Sequence, residues 1–159
     1  HELIGTNARL EALQAAILRV KLPYLDRWNE LRRKNAAFYS SALANLGLKL
    51  PEEAPYAKSV FHLYVIRTPR RNELNAYLNE RGIGSLIHYP KPNHLLDCFK
   101  SLGYGEGDLP VTEKVSKEVL SLPLYPELTR NQIQTVASQV KSFLAPQRPK
   151  LEKLKKARS

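Results

Sequence analysis

One short segment of this chain concentrates side chains that bind anions and hydroxyl groups. The segment His88-Tyr89-Pro90-Lys91-Pro92-Asn93-His94 holds two imidazoles, a phenol and an ammonium. Such groups hydrogen-bond the hydroxyls of a sugar or pair with a diphosphate. The two prolines stiffen the backbone, which favours a preorganised binding site. The alternative is a proline-rich connection whose histidines hydrogen-bond to loop carbonyls.

A second group, Gly5-Thr6-Asn7-Ala8-Arg9, stands directly before an amphipathic helical pattern. Gly5 lets the backbone approach a ligand closely. Thr6 or Asn7 can cap the helix, whose free N–H groups attract an anion. The segment therefore predicts a phosphate or carboxylate contact, in a site that other residues complete. The alternative is an ordinary helix cap beside a surface arginine.

Several other chemistries are excluded by missing motifs. The sequence holds no P-loop, no Gly-x-Ser-x-Gly and no dinucleotide fingerprint, and we interpret the glycines at 103, 105 and 107 as a flexible loop. No metal cluster is expected from one cysteine and four histidines, beyond a weak site at His88 and His94. The single Cys98 excludes an internal disulfide framework and fits a reducing compartment, which predicts the cytoplasm. No run is apolar enough to span a membrane.

The net charge of +10 raises the question of a nucleic-acid partner. Its distribution argues against one. Residues 145–159 hold six Lys/Arg and one Glu, so half of the net charge falls on this short tail. A solvated basic tail is the preferred interpretation over a nucleic-acid-binding arm.

Apolar periodicity predicts an α/β fold with a long N-terminal helix. Helical patterns cover residues 7–22 and 25–46, as one helix kinked at Pro23, and then 72–81, 94–102, 112–120 and 129–144. Short strands are predicted at 60–67, 85–89 and 120–125. The expected organisation is a connecting helix over 1–46, a small domain over 47–144 with a three-stranded sheet flanked by helices, and a basic, disordered tail over 145–159.

These segments, in this order, resemble one protein family. Residues 5–18 (GTNARLEALQAAIL) closely resemble the GxNxRLxxLQAAxL segment of the DegT/StrS sugar aminotransferases. Further matching blocks are Lys21-Leu22-Pro23, Trp28-Asn29, residues 61–67, Arg81-Gly82-Ile83, His88-Tyr89-Pro90, His94-Leu95 and residues 120–126. The resemblance covers about residues 1–144. It implies the C-terminal domain of the aspartate-aminotransferase fold (fold type I) and pyridoxal 5′-phosphate as cofactor.

The resemblance also implies a reaction and a set of site residues. Enzymes of this family move an amino group, commonly from glutamate, to a keto-sugar nucleotide in amino-sugar and polysaccharide biosynthesis. By resemblance, the protein is a homodimer in which Asn7 reaches the cofactor phosphate in the partner's site. His88, Tyr89 and His94 are expected near the sugar nucleotide, and Arg9 in the same region. Neither nucleic acid nor a membrane is an expected partner.

Two departures from the family limit what this chain can do. The cofactor-binding domain, with its Schiff-base lysine, is absent, so we expect the C-terminal part of an enzyme that is inactive by itself. Leu96 stands where many relatives have glutamine, which leaves the sugar open. The first helix is expected to expose an apolar face. Two other classes remain open: a basic nucleic-acid-binding domain and a non-catalytic dimerisation module.

Overall fold

The structure, a computed structural model, describes residues 9–145. Its elements are helices, two strands and three short 3₁₀ turns. In chain order they are α1 (Ala12–Lys21), a turn at Leu22–Tyr24, α2 (Leu25–Leu43), β1 (Tyr64–Arg67), α3 (Arg71–Asn79), turns at Asn93–Leu95 and Asp97–Leu102, α4 (Pro110–Glu118), β2 (Val119–Leu122) and α5 (Arg130–Leu144). None of the described helices has the length and apolar character needed to cross a membrane.

Helices α1 and α2 follow one another through the 3₁₀ turn that contains Pro23. Proline lacks an N–H and cannot continue the α-helical hydrogen-bond ladder, so the interruption falls where the sequence predicts it. Helix α1 begins at Ala12 and not at residue 7, because Glu11 is its N-cap, with extended backbone. Helix α2 ends at Leu43, before the predicted residue 46, and the backbone turns left-handed at Asn45.

The sheet has two strands among the described residues, and the prediction of three is wrong. Strands β1 and β2 pair antiparallel, with Tyr64 opposite Leu122 and Arg67 opposite Val119. The predicted strand at 85–89 contributes a single bridge, in which Leu86 and Ser121 exchange both backbone hydrogen bonds. Pairing extends no further because the neighbouring strand β2 spans only Val119–Leu122, and the prolines at 90 and 92 beyond the segment have no N–H to donate.

Strand β1 is shorter than the predicted 60–67 for a similar reason. Its partner β2 ends before Pro123, so His62 and Leu124 cannot continue the ladder. Instead, the guanidinium of Arg32 on α2 donates to the carbonyls of both residues, at 3.3 and 3.1 Å. A side chain thus replaces backbone pairing at this end of the sheet.

Helices α2, α3 and α5 cover one face of the sheet and form the core with it. Side chains alternate between the two faces of a strand, so Leu120 and Leu122 of β2 face these helices, while Val119 and Ser121 face the other way. The largest fully buried side chains are Tyr39, Leu43, Tyr64, Ile66, Leu74, Leu78, Leu120, Ile133 and Val140. The sheet therefore has a second face, on which the candidate site lies.

Three further helix predictions differ from the structure, among them 112–120, where α4 spans Pro110–Glu118, and one is confirmed. Residues 94–102 form two 3₁₀ turns, because Leu96 between them is extended, with ψ at 144°. Helix α3 begins at Arg71, and its first turn is bonded to Thr68 and not capped by Asn72. The capping box of Thr129 and Gln132 is present at the start of α5.

Candidate functional site

A pocket of about 470 Å³ lies on the face of β2 that points away from the helical core. Three of the predicted site residues, His88, Tyr89 and His94, line it together. Its walls come from the segment after Leu86, the 3₁₀ turns, the glycine-containing loop and helix α4. The lining residues are His88, Tyr89, Lys91, Pro92, Asn93, His94, Phe99, Leu102, Tyr104, Leu109, Thr112, Val115, Ser116 and Val119.

His88 is anchored to the sheet. Its Nδ1 lies 2.9 Å from the Oγ of Ser121, a residue that is 4% exposed in the middle of β2. The ring of Tyr89 stands edge-on to the His88 ring, with centroids 5.6 Å apart, and Tyr89 itself is 71% exposed. This arrangement uses one nitrogen of His88 for positioning and leaves Nε2 and the Tyr89 hydroxyl as polar groups for a ligand.

His94 is buried and engaged by a carboxylate. Its Nε2 lies 3.2 Å from Oε1 of Glu113, in the first turn of α4. The ring of Tyr104 stands perpendicular to it, with centroids 6.5 Å apart. His94 lines the pocket, and its Nε2 is occupied by the contact with Glu113. Of its two ring nitrogens, only Nδ1 is left for a ligand.

Glu113 also holds the loop that closes the pocket. Its carboxylate accepts the backbone N–H of Gly107, at 2.9 and 3.1 Å to the two oxygens, and that of Leu109 at 3.3 Å. Burial raises the pKa of Glu113, but these donors and His94 outweigh burial and hold the pKa below its usual value. Glu113 is therefore an ionised acceptor at neutral pH.

Sequence reasoning missed Glu113 and Ser121. A glutamate in the first turn of a helix is the ordinary partner of the helix dipole at the surface, so nothing in the sequence indicates that this one is buried. Ser121 is the one polar residue in the apolar run Val119–Leu122. A polar residue inside a buried strand requires a hydrogen-bond partner. The sequence therefore predicts that Ser121 has a partner but does not identify His88 as that partner.

The two remaining predicted site residues lie at the start of the chain. Arg9 is exposed and is not among the residues that line the pocket. Asn7 lies outside the described residues, as do Gly5 and Thr6. Because α1 starts at Ala12 with Glu11 as N-cap, the expectation that Thr6 or Asn7 caps this helix is wrong.

The first helix exposes an apolar face, as its pattern predicts. No residue of α1 is buried, and Leu13 and Val20 are 74% and 70% exposed. An apolar groove with a volume of about 650 Å³ runs along α1 and the start of α2. Its apolar lining residues are Leu10, Ala15, Leu18, Leu22, Leu25 and Trp28.

The described residues do not by themselves fit a pyridoxal phosphate ring. Such a ring needs a lysine activated by burial or by a cationic neighbour, and a carboxylate for its ring nitrogen. Every lysine within residues 9–145 is exposed, and the pocket lining includes no Asp or Glu. Nor does this part of the chain bring three metal-ligating side chains together. The pocket instead suits a ligand with hydroxyl or phosphate groups.

The fold is an α/β domain with one pocket wall built on the sheet and another held by the buried carboxylate of Glu113. The sequence profile of the DegT/DnrJ/EryC1/StrS aminotransferase family matches residues 1–141. The chain belongs to this family.

Named relatives cover the same range. The chain is 49% identical to a pleiotropic regulatory protein of Geobacillus stearothermophilus, over 90% of its length and 39% of the relative's. It is 46% identical to dTDP-3-amino-3,4,6-trideoxy-alpha-D-glucose transaminase of Streptomyces venezuelae, over 90% and 38%. The crystal structure of S. venezuelae DesV matches with a TM-score of 0.86 and 45% identity, covering 92% of this chain and 40% of that one.

The chain thus spans about two fifths of the length of the curated relatives that it matches. These relatives include sugar aminotransferases, and the comparisons do not favour the nucleic-acid-binding alternative. Aminotransferases of this family depend in general on pyridoxal phosphate.

Proposed function

We propose that this chain is the C-terminal part of a pyridoxal-phosphate-dependent enzyme that transfers an amino group from an amino acid, glutamate, to a keto-sugar nucleotide. In this proposal the enzyme is a cytoplasmic homodimer. The chain supplies the connecting helix over 1–46 and the small domain over 47–144. The cofactor would supply the electron sink for amino transfer, and its ring would be held by residues beyond the described pocket.

The observation that supports the proposal is the convergence of His88, Tyr89 and His94 on one pocket in a chain of this family. Relatives that share 46% and 37% identity with the chain are named as transaminases of dTDP- and UDP-linked sugars. A ligand with many hydroxyls suits the donors and acceptors of this pocket. Under the proposal, Tyr89 and the free nitrogens of the two histidines hydrogen-bond the sugar nucleotide.

The two residues at the start of the chain have separate roles in the proposal. Asn7 donates its amide to the cofactor phosphate in the partner's site, and Arg9 adds a positive charge to the same region. The apolar face of α1 is exposed in the single chain, so under the proposal another part of the assembled protein packs against it. Each subunit would then need the other to complete its site.

The test uses the full-length protein that carries this chain, with pyridoxal phosphate, L-glutamate and a keto-sugar nucleotide. Formation of 2-oxoglutarate measures turnover. We expect turnover by the full-length protein and none by the 159-residue chain alone, because every lysine within residues 9–145 is exposed and none there is activated by burial. Turnover by the chain alone, or none by the full-length protein across dTDP- and UDP-linked keto sugars, would contradict the proposal.

A further inference from the structure

One carboxylate joins the two walls of the pocket. Glu113 is 7% exposed, and its Oε1 alone lies within hydrogen-bond distance of three donors: Nε2 of His94 at 3.2 Å, the N–H of Gly107 at 2.9 Å and the N–H of Leu109 at 3.3 Å. The first donor belongs to the turn Asn93–Leu95, and the other two to the loop that follows Gly103. Glu113 therefore fixes the ring and the loop relative to each other.

The chemistry of Glu113 decides which nitrogen of His94 carries the proton. An ionised carboxylate only accepts hydrogen bonds, so the ring nitrogen that faces it must be N–H. In the neutral imidazole the other nitrogen is then an acceptor. The same argument does not apply to His88, because the hydroxyl of Ser121 both donates and accepts. Only for His94 does the partner dictate the tautomer.

The acceptor of His94 is available to a ligand. Among the described residues, no hydrogen-bond partner faces its Nδ1, and the ring lines the pocket beside Tyr104. An acceptor of this kind binds a hydroxyl group, which can donate, and repels an unprotonated phosphate oxygen, which cannot. The ring therefore discriminates between the two kinds of oxygen that a sugar nucleotide carries.

We propose that Glu113 is a positioning residue, which holds His94 as the Nε2–H tautomer so that Nδ1 accepts a hydrogen bond from a hydroxyl of the sugar and not from the diphosphate. The assignment rests on the proposed function for the identity of the ligand. The tautomer itself is a property of the chain without ligand and is tested separately.

The first experiment reads the ring state directly. Long-range ¹⁵N–¹H NMR of the ¹⁵N-histidine-labelled chain identifies which ring nitrogen is protonated, and His94→Gln assigns the signals. For the neutral ring of the wild type we expect a protonated Nε2 and an unprotonated Nδ1. Glu113→Gln should keep this state, because the amide oxygen replaces the Oε1 on which all three donors converge. Glu113→Leu should lose the protected Nε2 proton.

The matched control is Glu106→Gln, which changes an exposed carboxylate of the same loop that contacts only Lys117, at 3.9 Å. It should leave the His94 signals unchanged. A neutral His94 ring protonated at Nδ1 in the wild type, or an unchanged protected Nε2 proton in Glu113→Leu, would overturn the assignment. Circular dichroism shows whether Glu113→Leu is folded; if it is not, the wild-type signals and Glu113→Gln decide the matter.

The second experiment separates the sugar from the diphosphate in the full-length protein. Binding of dTDP-glucose and of dTDP is compared by calorimetry, with UDP-glucose and UDP as a second pair. Glu113→Leu should weaken binding of the sugar nucleotide about tenfold, the value of one hydrogen bond, and leave the free nucleotide unchanged. Glu113→Gln should stay within about threefold of wild type for both.

Each failure has its own meaning. Equal weakening of dTDP and dTDP-glucose by Glu113→Leu would overturn the hydroxyl contact, since a collapsed loop affects both ligands. No binding of either pair by the wild type would contradict the proposed function, while the NMR result would still decide the role of Glu113.

Discussion

The Nδ1 of His88 lies 2.9 Å from the Oγ of Ser121, so a pocket residue is hydrogen-bonded to the middle of strand β2. Ser121 also exchanges both backbone hydrogen bonds with Leu86, two residues before His88. Backbone and side chain of one strand residue thus fix the start of the His88–His94 segment. These hydrogen bonds to the sheet, and not the loop sequence alone, fix the position of the pocket.

Replacing Ser121 by alanine should release His88. The change removes one buried hydrogen bond and should lower the free energy of unfolding by about 1 kcal/mol, measured by urea denaturation. The His88 ring signals should shift in the NMR spectrum while those of His94 stay. Ser41→Ala, at an exposed position of α2, is the control. Equal effects of the two substitutions would show that the His88 contact contributes nothing to stability.

Acid should weaken the fold through Glu113. The donors Gly107, His94 and Leu109 outweigh burial and hold the pKa of Glu113 below its usual value. A carboxyl with a lower pKa in the folded than in the unfolded state contributes stability above its unfolded pKa of about 4.3. That contribution is lost as the pH falls through the folded pKa. The urea midpoint of the wild type should therefore fall more steeply with acid than that of Glu113→Gln.

The comparison of wild type with Glu113→Gln isolates Glu113, because the other carboxyl groups with a lowered pKa are present in both proteins. The backbone N–H of Ser59 lowers the pKa of Glu53, and the Arg70 side chain lowers that of Glu73. Both remain in Glu113→Gln and contribute a common acid dependence. Identical midpoint-versus-pH curves for wild type and variant would contradict the role given to Glu113.

Arg32 should contribute more to stability than Arg27, an exposed arginine of the same helix. It donates to the carbonyls of His62 and Leu124 where the sheet ladder ends. Arg32→Met keeps the apolar stem and removes the donors, which should cost about 1–3 kcal/mol because a charged donor is lost from two carbonyls. Arg27→Met, at an exposed site of the same helix, should change the free energy of unfolding by less than about 0.5 kcal/mol.

The core can be tested with a matched pair of valines. Val140 on α5 is fully buried, whereas Val111 on α4 is 76% exposed. Val140→Ala removes two buried methyl groups and leaves a cavity, which should lower the free energy of unfolding by about 2 kcal/mol. Val111→Ala should leave it nearly unchanged. Similar urea midpoints for the two variants would contradict the packing of α5 against α2 and α3.

The local elements of the fold were largely predictable. The break at Pro23, the capping box of Thr129 and Gln132, and the left-handed turn at Gly82 after α3, whose φ is +71°, each follow from the backbone preferences of one or two residues. The failure of residues 85–89 to form a third strand was not predictable, because an apolar run of this kind fits a ladder locally. Whether it pairs depends on the length of the neighbouring strand.

The sequence by itself determined the family, through ordered blocks from Gly5 to Pro126, and it singled out His88, Tyr89 and His94 as a group. Only the tertiary structure decided what holds them. Ser121 and Glu113 lie 33 and 19 residues away along the chain from the histidines that they contact. The reason is physical: a residue's type limits which hydrogen bonds it can make, but burial and partner are set by whatever the rest of the chain packs against it.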